Sequence, residues 1–93
     1  MRSALSKTRR LNGVITKRVI ELQDQGYLYD FLSMGKQKFL CLQDSICFHD
    51  RDISIKVVDQ VYDHFSHCYK YIHAVETATG HKGLLLEEGI YTN

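Results

Sequence analysis

The chain has 93 residues, 44% apolar and 25% charged, with a formal net charge of +1. That balance excludes a disordered or strongly polyionic chain, and no apolar run approaches the roughly 18 residues of a membrane-spanning helix. A chain this short is expected to be one domain that buries about one helix against one sheet, with little room for an enclosed active site.

The first segment is basic. Arg2, Lys7, Arg9, Arg10, Lys17 and Arg18 stand without an acid among them. Residues 1–10 are expected to be a frayed basic extension, or a surface that touches phosphates. A helix follows. Leu11, Ile15, Val19 and Leu22 fall on one face, Val14 and Ile20 widen the stripe, and Lys17, Arg18, Glu21 and Asp24 should face water. Ser3, Ser6 or Asn12 could cap its start, and Gly26 suits a left-handed C-cap.

Beyond Gly26 the apolar period changes to two. Residues 27–33 read as a strand, Gly35-Lys36 as a turn, 38–42 as a second strand and 46–48 as a short third. His49-Asp50-Arg51-Asp52 reads as a tight polar connection. Ile53, Ile55 and Val57 then alternate, but Val58, Val61 and Phe65 slip out of phase, which a β-bulge near Val57-Val58 explains. Helical spacing also fits part of 55–65, but the β-branched run over 53–58 favours strand. Residues 68–77 and 81–87 form a hairpin across Ala78-Thr79-Gly80, and Gly89-Ile90-Tyr91 ends in a short extended piece. The expected fold is α+β: one N-terminal amphipathic helix packed on a curled antiparallel sheet of five or six strands.

From Val19 to Tyr91 the chain resembles a family of small bacterial proteins common in the Bacteroidetes group and often labelled phosphoribosylpyrophosphate synthetases. The resemblance rests on Leu22, Gly26-Tyr27, Asp30-Phe31, His49-x-x-Asp52, Ile55 and Val58. It rests most on Tyr71-x-His73-Ala74-Val75, Gly80-x-Lys82-Gly83-x-Leu85 and Gly89-x-Tyr91. It implies a compact α+β domain without assigned chemistry. The synthetase activity of the label is not expected. Such a reaction needs backbone nests or helix N-termini for phosphates and acids for magnesium. Gly80-His81-Lys82-Gly83 is the only glycine-flanked basic turn, and it lies between strands.

Several constellations could carry chemistry. His49, Asp50 and Asp52 could converge on a cation, but three ligands from one loop make a poor site, and Asp is an ordinary turn residue. Cys41 and Cys47 flank a turn and could face each other, with His67 or Cys68 near. Their spacing of six is not that of a zinc knuckle, and with no export signal the three cysteines read as reduced thiols in a cytoplasmic protein. Cys68 and His73 lie on opposite faces of one strand and form no dyad. His64, His67 and His73 read as two solvated residues and one satisfied within the sheet. Tyr27, Tyr29 and Phe31 share one phase, and Tyr69, Tyr71, His73 and Val75 another. Such rows fill a core if they face inward and grip a peptide or base if they face outward.

The residues thus favour a non-enzymatic module that binds a protein or small ligand, with a homodimer as one form of it. The expected contact residues are His49, Asp50, Asp52, Tyr69, Tyr71, His73, His81 and Lys82. No metal or cofactor is expected. Nucleic acid bound through the basic segment is the first alternative, and a small enzyme or metal protein the second.

Overall fold

The computed structural model describes residues 13–91. Residues 1–12, with Arg2, Lys7, Arg9 and Arg10, Leu11 and the candidate caps Ser3, Ser6 and Asn12, lie outside these residues. Helix α1 (Gly13–Asp24) is followed by β1 (Tyr29–Gly35), β2 (Lys38–Cys41), β3 (Ile46–His49), a 3-10 turn (Asp50–Asp52), β4 (Ile53–Asp63), β5 (Cys68–Thr77) and β6 (Lys82–Glu87).

Helix α1 is rich in β-branched residues, so packing rather than propensity holds it. Ile15, Val19 and Leu22 are buried against Ile72, Leu84 and Leu86 of the sheet, with Val58 and Val61 at the margin. Val14 and Ile20 do not widen this stripe: they are 66% and 52% exposed. Arg18 departs from its expected place in water and donates from Nε to Asp59 Oδ2 at 2.7 Å, tying the helix to β4. The helix ends in a Schellman motif. Gly26 adopts φ 105°, its N–H donates to the Gln23 carbonyl, and the Tyr27 N–H donates to the Leu22 carbonyl.

The six strands form one sheet in the order β3-β2-β1-β6-β5-β4. It is mixed, not purely antiparallel. β1 and β6 run parallel, with Tyr29 opposite Gly83 and Phe31 opposite Leu85, while the other four pairings are antiparallel. The local hairpins match their turns, but the first and last strands meet across the whole chain, and no turn dictates their sense.

The sheet must curl. Its edges, β3 and β4, are joined only by Asp50–Asp52, which bridges at most about 14 Å between flanking Cα atoms. Five strand spacings in a flat sheet would need about 24 Å. The curl gives the concave face a core of Phe31, Phe39, Cys41, Ile55, Val75 and Leu85, separate from the core under the helix. Strand β4 serves both cores because Val57 pairs with His73 and Asp59 with Ile72, leaving Val58 as the bulged residue. The bulge shifts the phase by one, so Ile53 and Ile55 face the concave core and Val58 and Val61 the helix.

Among the described residues no buried side-chain nitrogen or oxygen lacks a hydrogen-bond partner. Asp30 is fully buried. Its N–H donates to Gln43 Oε1 at 2.9 Å and its Oδ2 accepts from Gln43 Nε2 at 2.7 Å, a reciprocal clip between β1 and the β2–β3 turn. At the far end of the β4–β5 hairpin, Asp63 accepts from the Phe65 N–H at 3.0 Å and the Ser66 hydroxyl at 2.8 Å. An Asp63→Ala variant removes both bonds and is expected to lose about 1–3 kcal/mol in urea denaturation. A change within experimental error would show that the loop does not depend on this cap.

Candidate functional site

The 3-10 turn and the β5–β6 turn lie side by side, because the Ala78 N–H donates to the Asp52 carbonyl at 3.1 Å. The Asp50 N–H donates to the Gln37 carbonyl at 2.9 Å, so the same turn also meets the β1–β2 turn. His49 Nδ1 lies 3.2 Å from Asp50 Oδ1, and Asp52 is exposed. Among the described residues, no group of three or more His, Cys, Asp or Glu side chains could hold a metal ion. Cys47 pairs with Leu40 rather than Cys41, which sends the two thiols to opposite faces. Cys41 is buried, and that burial raises its thiol above the usual range despite backbone bonds near Asp44 and Gln43.

His81 and Lys82 part company. The Lys82 ammonium lies 5.0 Å from the centroid of the Tyr27 ring, a cation–π contact. His81 joins a polar chain that its neighbours in sequence do not announce. Nε2 lies 2.6 Å from Asp44 Oδ2, Nδ1 lies 2.8 Å from Thr79 Oγ1, and Thr79 Oγ1 lies 2.9 Å from Thr77 Oγ1. The His81 backbone N–H donates to Thr77 Oγ1 at 2.9 Å. With Nε2–H donated to the carboxylate, Nδ1 accepts the Thr79 hydroxyl proton. A carboxylate, an imidazole and a hydroxyl in this order can activate a nucleophile. Here the hydroxyl sits on an exposed turn. The chain therefore reads as a strap from the β2–β3 turn to the β5–β6 turn, backed by Tyr29 and Phe48 at ring distances of 4.6 and 5.9 Å from His81. Thr-x-Thr-x-His across a turn was its only signal in the sequence.

The second aromatic row divides along its length. Val75 and His73 are fully buried, Tyr71 is half-buried and Tyr69 is 49% exposed. Tyr69 pairs with Tyr62 of β4, their rings 5.3 Å apart and nearly perpendicular. His64 stacks edge-on to Tyr62 at 5.2 Å, and Phe65 at the tip is 54% exposed. The row that begins as core thus ends as an open aromatic surface where the hairpin outruns the curl. The first row is largely core: Phe31 is buried, while Tyr27 and Tyr29 pack at the margins of different clusters.

His73 is a structural residue. Its Nδ1 lies 3.0 Å from the Leu85 carbonyl and its Nε2 accepts the Tyr91 N–H at 2.9 Å. Accepting at Nε2 requires the proton on Nδ1, so the ring is neutral and its tautomer is set. Burial lowers its pKa, opposed by the Leu85 and Tyr71 backbone bonds and by the Glu87 charge. Tyr91 is thereby drawn onto the concave face, edge-on to both Phe39 and His73. It helps line a groove of about 290 Å³ with Ser33, Gly35, Lys36, Gln37, Phe39, Asp50 and Ile55. Asp50 is the only residue expected at the site that reaches this groove. Its other parts come together only through the curl, which no local pattern in the sequence announces.

Of the basic segment, the described residues include Lys17, which is exposed, and Arg18, which is bound to Asp59. Among the described residues no helix is long and apolar enough to cross a membrane. No protein-family model matches the chain, and none of the curated proteins or solved structures does either.

Proposed function

We propose that the protein is a non-enzymatic recognition module that docks a protein partner, in the first place a second copy of itself, on the open aromatic end of its concave face. The Tyr62–Tyr69 pair carries this reading. Two ring systems stand cross-strand, 39% and 49% exposed, beside an exposed Phe65. Tyrosines of this kind are typical anchors of protein interfaces, contributing area at low entropic cost. Asp63 beside the patch is buried and turned into the loop, so its carboxylate does not face an incoming partner.

The β4 edge beside the patch is a poorer route. β4 carries Lys56 and a bulge at Val58, both of which discourage strand addition. The proposed contact is face to face. A cytoplasmic location belongs to the same reading, supported by three cysteines outside any disulfide. So does the resemblance of the C-terminal hairpin to small bacterial proteins, which brings no assigned chemistry with it.

Sedimentation velocity tests the proposal. The wild-type protein is expected to show a concentration-dependent dimer, and Tyr62→Ser/Tyr69→Ser to remain monomeric. Because both side chains are substantially exposed, the double variant should lose no more than about 1 kcal/mol of stability. A wild-type protein that stays monomeric, or a variant that associates equally well, overturns the reading.

A further inference from the structure

We propose that the groove between the β1–β2 turn and Tyr91 binds a small aromatic carboxylate. This site is separate from the aromatic surface of the hairpin and does not depend on it. Its floor is apolar: Phe39, Ile55 and Tyr91, with the Phe39 and Tyr91 rings edge-to-face at 5.9 Å. The two perpendicular rings make a corner, in which a planar ring can set its face against one and its edge against the other. A volume of about 290 Å³ is at the small end of ligand sites, enough for one ring and a short side chain.

The rim sets the charge. The Lys36 ammonium, the Ser33 hydroxyl and the Gln37 carboxamide make no hydrogen bond among the described residues. The acid on the rim, Asp50, is held by His49 Nδ1 at 3.2 Å. Lys36 offers a cation flanked by two further donors, which suits a carboxylate.

The backbone points the same way. Lys36 and Gln37 form a two-residue hairpin turn with φ of 52° and 62°, after Gly35 at 77°. Asn-Gly is the favoured sequence for such a turn, and each residue with an ordinary side chain held there costs on the order of 1 kcal/mol. A lysine at this position is poor turn chemistry, and it puts a cation on the lip of the groove.

The test is an amide NMR titration with phenylacetate, benzylamine and cyclohexane, on the wild-type chain and on Lys36→Asn. Asparagine tolerates positive φ better than lysine, so the variant keeps the turn and its thermal midpoint should hold or rise. With wild type, phenylacetate is expected to give saturable shifts at Lys36, Phe39, Ile55 and Tyr91, with a Kd of about 0.1–1 mM for a ligand this small. Benzylamine and cyclohexane should give none that saturate. In Lys36→Asn the phenylacetate affinity should fall at least about tenfold, the loss of one charge-assisted bond. Non-saturating shifts, equal binding of benzylamine, or unchanged affinity in Lys36→Asn would each overturn the proposal.

Discussion

Replacing Gly83 with alanine is expected to cost about 3–5 kcal/mol and to lower the thermal midpoint by roughly 15–30 °C, and valine should prevent folding. Gly83 lies opposite Tyr29 in the parallel pair. A Cβ built on it falls onto the Tyr29 carbonyl and within 2.7 Å of Phe31 Cε2. Neither neighbour can yield easily. Tyr29 O is backbone, Phe31 is fully buried, and β6 is held on its other side by β5, where Gly83 pairs with Val75. The β1–β6 pairing spans only three residue pairs, yet it joins the two halves of the sheet. A domain of this size has a total stability of only about 5–14 kcal/mol. Gly89→Ala is the control: its Cβ would meet nothing within 4 Å, so the change should stay within about 0.5 kcal/mol. Circular dichroism melts of the two variants decide the matter, and equal midpoints would show that β1 and β6 do not pair in this register.

The second large effect is acid sensitivity set by His73. Burial holds its folded pKa below the ordinary value, so the neutral ring is favoured in the fold and the unfolded chain takes up the proton first. Stability is therefore full above about pH 6.5. It falls as pH drops below that value, at up to about 1.4 kcal/mol per pH unit, until the folded pKa is reached. Protonation at Nε2 also breaks the bond from the Tyr91 N–H, so the tail should leave the concave face in the same range. Urea denaturation at pH 7.5, 6 and 5 measures the slope. His73→Leu should cost about 2–4 kcal/mol at pH 7.5, because it strands the Leu85 carbonyl and the Tyr91 N–H. It should also flatten the acid slope. The same slope in variant and wild type would assign the pH dependence to other groups.

Much of the backbone was legible in the sequence. The Ile15–Val19–Leu22 face, the glycine that ends the helix, the strand–turn sequence and the slip at Val58 are all written within a few residues. The physics that sets them is equally local: side-chain period, left-handed φ and the alternation of strand faces. The candidate sites were less so. His49, Asp50 and Asp52 are neighbours in sequence, but of the three only Asp50 lines the groove. Tyr69 and Tyr71 share a phase, yet nothing local says where the curl stops covering it. The glycines around His81 mark a turn, while its partner Asp44 lies far back in the chain.

By itself, the order of residues determined which segments are helix and strand, where they turn and which side chains share a face. Only the tertiary structure decided that β1 lies parallel to β6, that a three-residue link bends the sheet, and that Tyr91 closes on His73 and Phe39. Hydrogen-bonded turns are encoded by their immediate neighbours. Closure of a sheet is encoded by the sum of contacts between segments far apart, and by one position, Gly83, where a side chain does not fit.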